Sequence, residues 1–333
     1  MEIKNIDKSN MRQVIVDFPK QLQDGLGLAK NVKVSDDFQN IVVCGLGGSA
    51  LAADILRSLH IPIYVHKDYN LPYVAMQKSL VICISYSGNT EETVSALQEA
   101  IDQKITAAGV SSGGQIEALC QKNNLPFIKI PGGIQPRSAL GYMFGALAMV
   151  LANSGLAKDM SGEITEIAQK LKTLNASLEQ EGKTLAKKLF KKIPVLYSSD
   201  SGQALSIARI WKIKFNENTK IPAFYNYFPE LNHNEMVGWQ GLKKMGIKNV
   251  CVIIFKDSAA HPRTLKRINL TADLIKKSGA DVQILNESEG TPLFKIFSSL
   301  LLGDWTSYYL ALAYKTDPTP VAMVEEFKAL MKN

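Results

Sequence analysis

KSLVICISYSGNTEETV, residues 78–94, is the stretch on which the fold of this chain turns. Residues 78–84 form a short, nearly continuous apolar run, as a strand covered on both faces of a parallel sheet must be. The run EETVSALQEAI that follows the loop has the apolar spacing of an amphipathic helix. A loop between two such elements sits at the carboxyl end of a strand. There the hydroxyls of Ser85, Ser87 and Thr90 converge, Gly88 lets the backbone come close, and the first free N–H groups of the helix offer partial positive charge to an anion. Asn89, with Glu92 three residues on, has the spacing of an N-cap pair and predicts a helix starting there.

A second stretch repeats the pattern. Residues 41–50, IVVCGLGGSA, run from an apolar strand into Gly45, Gly47, Gly48 and Ser49, followed by the helix-like LAADILRSL. Two such turns in one sheet face each other across its carboxyl edge, where open α/β sheets bind ligands. GLGG lacks the third glycine of the G-x-G-x-x-G pattern of a dinucleotide site, with Ala50 where it would fall, and the chain has no Walker sequence, so nucleotide binding is set aside.

Working outward, strands are expected near 40–45, 61–65, 80–85, 104–110 and 126–130, alternating with helices near 48–60, 89–102 and 114–122. This is a five-stranded parallel series behind a helical N-terminal arm. Helices fill most of 137–192, and alternation resumes with strands near 193–198, 221–226, 249–255 and 281–286. The fold class is therefore α/β, with two doubly wound αβα domains and mainly parallel sheets, 1–155 and 156–333. At 333 residues with 46% hydrophobic content, the chain is large enough for two such cores.

Lys and Arg outnumber Asp and Glu by 38 to 31, a net charge of +7, but the basic residues are scattered; the run Lys187, Lys188, Lys191 and Lys192 reads as one solvated helix face. A modest positive field suits a small phosphorylated substrate, and no nucleic-acid partner is expected. Cys44, Cys83, Cys120 and Cys251 lie far apart without a C-x-x-C and read as reduced thiols of a cytoplasmic protein. The N-terminus has no apolar signal core, and the longest apolar stretches, near 139–152 and 305–313, are too short or too interrupted for a membrane span. Four histidines, at 60, 66, 233 and 261, show no H-x-H or H-E-x-x-H spacing, so neither a metal nor another cofactor is expected.

Two ionisable groups flanked by asparagines follow the ends of predicted elements: Glu217 in KFNENTK (214–220) and His233 in PELNHNEMV (229–237). A carboxylate and an imidazole are what reversible proton transfer requires, with Glu230 and Glu235 as competitors for the base. Arg137, in GGIQPRSALGYMFG, opens an apolar helix where the macrodipole disfavours a cation, so either it points to solvent or something anionic repays its placement, and the second reading is preferred.

Taken together, CGLGGSA (44–50), SYSGNTEET (85–93), PRSALGY (136–142), FNENTKIPA (215–223), ELNHNE (230–235) and the terminal DPTPV and EEFK segments resemble the bifunctional phosphoglucose/phosphomannose isomerases of the sugar isomerase (SIS) superfamily. The resemblance implies aldose–ketose interconversion of glucose 6-phosphate, and of mannose 6-phosphate, with fructose 6-phosphate through a cis-enediolate. It implies phosphate binding by Ser85, Ser87 and Thr90 and sugar contacts from Gly48 and Ser49. It makes Glu217 the base, gives ring opening to His233 and a late lysine, and has Arg137 steady the enediolate. Lys328 is the positional match for that lysine and Lys315 its competitor. The resemblance further implies a homodimer in which His233 reaches the neighbouring subunit's pocket. The alternatives are a non-catalytic phosphosugar-binding regulatory protein, which has no need of the Glu, His and Arg set, and an isomerase restricted to glucose 6-phosphate.

Overall fold

The computed structural model describes residues 3–199 and 202–331. The chain divides into two compact units. The N-terminal unit comprises residues 16–174 with 292–294, and the C-terminal unit residues 3–15, 175–291 and 295–331.

In the N-terminal unit, β1 (Asn40–Cys44), β2 (Ile63–His66), β3 (Ser79–Ile84), β4 (Ala107–Ser111) and β5 (Phe127–Lys129) form one sheet in the order β2-β1-β3-β4-β5. Every neighbouring pair is parallel. All six residues of β3 are buried, which is why its sequence is apolar without alternation. α1 (Met11–Val16) belongs, all but its last residue, to the C-terminal unit, and the helices of the N-terminal unit are α2 (Phe18–Leu28), α3 (Gly47–Ser58), α4 (Glu91–Asp102), α5 (Gly114–Lys122), α6 (Leu140–Asn153) and the first part of α7 (Ser161–Leu189). α4 and α5 close one core of Val42, Val81, Leu97, Ile116 and Cys120. The chain leaves β1 toward β2, then returns to lay β3 on β1's other side. The turns after β1 and β3 therefore flank the point where strand order reverses, the place where such sheets take ligands.

In the C-terminal unit, β6 (Ile193–Ser199), β7 (Phe224–Phe228), β8 (Val250–Lys256) and β9 (Asp281–Asn286) form a second parallel sheet, ordered β7-β6-β8-β9. Its helices after α7 are α8 (Gly202–Lys214), α9 (Glu235–Gly238), α10 (Pro262–Ser278), α11 (Pro292–Ala313) and α12 (Ala322–Leu330). Tyr197, Phe228, Leu231, Val252, Ile254, Ile268 and Ile275 fill the core between this sheet, α10 and the segment after β7. A buried ion pair, Lys214 Nζ to Asp304 Oδ1 at 2.7 Å, ties the end of α8 to α11.

The expected fold class is what the structure has: two parallel sheets wrapped by helices. One local expectation is corrected. α4 starts at Glu91 with Thr90 as its N-cap residue, and no side chain caps it. Asn89 turns away because Gln115 N donates to its Oδ1 at 3.1 Å, while its Nδ2 donates to Ser87 O at 3.2 Å. Tertiary bracing of the loop outcompetes a local cap. Among the described residues, no helix is long and apolar enough to cross a membrane.

Candidate active site

The N-terminal unit brings six of the expected residues together. Ser85 Oγ and Thr90 Oγ1 are 2.9 Å apart, Thr90 N donates to Ser85 Oγ at 3.4 Å, and Asn89 N donates to Ser87 Oγ at 3.3 Å. Ser85 is buried and Ser87 exposed, so the loop offers hydroxyls at graded depth. Tyr86 N donates to Ser49 Oγ at 3.1 Å, which links the β3 turn directly to the β1 turn.

Gly88 has φ +71°, and a Cβ there would lie 1.7 Å from the Gly113 carbonyl oxygen. That approach is used: Ile116 N donates to Gly88 O at 3.0 Å, and Ser112 N donates to Tyr86 O at 2.9 Å. Tyr86 Oη accepts from Ile134 N at 3.0 Å, which draws in the segment before Arg137.

Arg137 lies on a single 3₁₀ turn, Pro136–Ser138, one turn ahead of α6, and is 0% exposed. It therefore does not point to solvent. A Cβ on Gly48 would come within 2.7 Å of its backbone nitrogen, so the glycine lets the β1 turn press on the arginine. A guanidinium keeps its charge when buried, so a fixed cation is built in beside the turn that carries Ser49.

Glu217 lies in the C-terminal unit, half-buried, on a π-helical turn, Phe215–Thr219, that continues α8. The wide turn is held by its polar residues: Asn218 Nδ2 donates to Ser307 Oγ at 2.9 Å, Thr219 Oγ1 to Ser307 O at 2.9 Å, and Asn216 Nδ2 to Ile221 O at 2.9 Å. Single π turns are frequent at functional sites. Lys220, absent from the sequence-level candidates, takes the left-handed conformation at φ 59° and ends the turn. Its ammonium donates to Glu217 O at 2.7 Å and Pro318 O at 3.0 Å, which ties the approach to α12 to the Glu217 turn. A lysine in a left-handed position has no sequence signature, since glycine or asparagine is the usual choice.

His233 is exposed at the end of the short turn Glu230–His233 that follows β7. Glu235, one competitor for the base, accepts hydrogen bonds from Tyr197 Oη and Asn226 Nδ2. Glu230 Oε1 accepts from Asn234 Nδ2 at 2.6 Å. Both carboxylates are thus engaged by neighbouring side chains. Lys328 is exposed on α12 and pairs with Glu325 at 2.9 Å, and Lys315 is exposed just past α11.

Topology separates Glu217 and His233 within the unit. α8 leaves the carboxyl end of β6 and runs back, so Glu217 precedes β7 at the sheet's amino edge, while His233 follows β7 at the carboxyl edge. α11 gives the scale. Lys295 meets Asp257 at the carboxyl end of β8, and Ser307, which anchors the Glu217 turn, lies twelve residues further along, about 18 Å at 1.5 Å per residue.

The C-terminal half, residues 178–331, matches the model of the bacterial phospho-glucose isomerase C-terminal SIS domain. The chain is 36% identical over 334 residues to the bifunctional phosphoglucose/phosphomannose isomerase of Caldicellulosiruptor bescii, covering 96% of this chain and 98% of that one. It belongs to that isomerase family. The family member from Aquifex aeolicus is also 36% identical, over 89% of this chain and 91% of its own. Among solved structures, the tagatose-6-phosphate ketose/aldose isomerase from Escherichia coli superposes with a TM-score of 0.66 at 18% identity, covering 92% of this chain and 94% of that one. The C-terminal domain of glucosamine-fructose-6-phosphate aminotransferase from Francisella tularensis gives 0.69 at 17% identity, over 93% and 98%. These two matches speak to the fold, and they agree with the two parallel sheets of this isomerase-family chain.

Proposed function

We propose that this chain interconverts glucose 6-phosphate and mannose 6-phosphate with fructose 6-phosphate, a reading supported by full-length relatives named bifunctional phosphoglucose/phosphomannose isomerase. The observation that carries this reading is the 36% identity maintained over 96% of the chain. The hydroxyl-lined turns of the N-terminal unit support it independently as a seat for a phosphorylated sugar.

In this reading Ser85, Ser87 and Thr90 take the phosphate, and Gly48 and Ser49 take the sugar. Binding energy from the phosphate, remote from the reacting carbons, orients C1 and C2. Glu217 removes the proton from C2, leaving a cis-enediolate, and returns it to C1 on the same face, while the hydroxyl proton passes from O2 to O1. Arg137 holds a fixed positive charge where the enediolate oxygen becomes negative, worth about 3–4 kcal/mol for a well-placed donor. His233, with Lys328 or Lys315, moves the proton between ring oxygen and anomeric hydroxyl that opens the ring. Because Glu217 and His233 of one chain stand at opposite edges of the same sheet, a single hexose meets the pair only if the histidine comes from a second copy, which favours a homodimer. The four buried, unbridged cysteines fit a reducing cytoplasm.

Fructose 6-phosphate incubated with the purified protein and a chelator, followed by NMR, is expected to yield both aldose 6-phosphates. Glu217→Gln is expected to lower kcat by about 10³-fold or more while the Kd for sugar phosphate stays within a few fold. No aldose from the wild type would favour a binding protein, and only glucose 6-phosphate would restrict the substrate range.

A further inference from the structure

The mount of His233 is built from side chains to which the mechanism gives no part. On its C-terminal side, Glu235 receives the hydroxyl proton of Tyr197 and an N–H of Asn226, and Trp239 Nε1 donates to the same tyrosine hydroxyl at 3.0 Å. Tyr197 and Asn226 are register partners on β6 and β7. Tyr197 is 0% exposed and packs edge-on against both Phe228 and Trp239, with ring centroids 6.1 and 6.3 Å away. On the N-terminal side, Leu231 is buried in the core and Asn232 Nδ2 donates to Thr271 Oγ1 of α10 at 2.8 Å. Leu231, Asn232 and Glu235 thus face inward, while His233 is exposed.

We propose that Glu235, gripped by Tyr197 and Asn226, is a positioning residue for His233 and carries no proton in the reaction. This rests on reading His233 as the acid–base group. Direction is locked along the chain of donors. Asn226 Oδ1 accepts from Tyr227 N at 2.8 Å, so its amide cannot flip and its NH₂ must face Glu235. Burial, reinforced by Glu235, raises Tyr197 above the ordinary tyrosine range, so its hydroxyl remains a donor. The position therefore calls for a group with two acceptors. A carboxylate has them, whereas a glutamine would set its own NH₂ against that of Asn226.

The test is a polarity swap. Glu235→Gln is expected to lower kcat about tenfold to a hundredfold with KM nearly unchanged, because the imidazole is misplaced while the substrate-binding turns are untouched. Adding Asn226→Asp restores an acceptor opposite the glutamine NH₂ and is expected to recover most of the lost kcat. With only four histidines in the chain, the His233 Cε1–H NMR signal can be assigned from His233→Asn. That signal should shift or broaden in Glu235→Gln and return in the double variant, with the other three unmoved. A folded Glu235→Gln with wild-type kcat and an unmoved His233 signal overturns the proposal. Full activity in His233→Asn would instead overturn the acid–base reading and leave the mount to be judged by the NMR signal alone.

Discussion

Gly88 shows how much of the proposed phosphate seat depends on one missing Cβ. Its positive φ and the 1.7 Å approach to the Gly113 carbonyl leave alanine no position without moving one loop off the other. Gly88→Ala is expected to raise KM for hexose 6-phosphates by an order of magnitude or more with a smaller change in kcat, since the strain falls on phosphate hydroxyls and not on Glu217. Steady-state kinetics read this directly, and an unchanged KM would contradict it. The lysine choice is settled at the same scale. Whichever of Lys328→Ala and Lys315→Ala lowers kcat on cyclic hexose phosphates marks the ring-opening partner. Ser85, Ser87, Thr90, Ser49 and Gly48 could be proposed from the sequence because hydroxyls and glycines between a strand and a helix have the pattern of an anion seat. Glu235 was legible only as a competitor for the base, because its partners Tyr197 and Asn226 lie on two separate strands.

Among elements, the π turn Phe215–Thr219 bears most on the proposed chemistry, since it carries Glu217. Its brace is the contact of Asn218 and Thr219 with Ser307 on α11. Ser307→Ala removes the hydroxyl that accepts from buried Asn218, at a cost of about 1–3 kcal/mol. Urea unfolding should show that loss, and kcat should fall while KM stays nearly constant. A variant with normal kcat would mean that the turn holds its shape without this bond. Sequence periodicity located α8 and β7 but could not show a π turn between them. Its defining bonds run to residues about ninety positions away, beyond any local window. The same limit explains Asn89, whose cap-like spacing was outbid by Gln115 N.

For the molecule as a whole, burial raises the thiols of Cys120 and Cys251 to about 11 and the hydroxyl of Tyr309 to about 12. An unfolded cysteine loses its proton near 9, so above that pH the unfolded chain binds fewer protons than the folded one. The stability these thiols contribute is complete below pH 9 and is lost as pH climbs toward 11. The thermal midpoint should fall across that window, and a flat profile would contradict the burial of these groups. Subunit complementation belongs to this scale too. Co-expressed Glu217→Gln and His233→Asn chains should recover up to about one quarter of wild-type activity, because half of randomly paired dimers are mixed and each has one intact site. No recovery from a mixed dimer would place both groups in one chain's site. What the amino-acid order determined by itself was local and periodic: two parallel α/β sheets, hydroxyl-bearing turns at strand ends, and the candidate acid, base and cation. Tertiary structure alone decided that Arg137 is a buried cation, that Glu217 rides a braced π turn, and that His233 faces outward on an inward-facing mount. Each depends on partners distant in sequence, which only packing brings within hydrogen-bond reach.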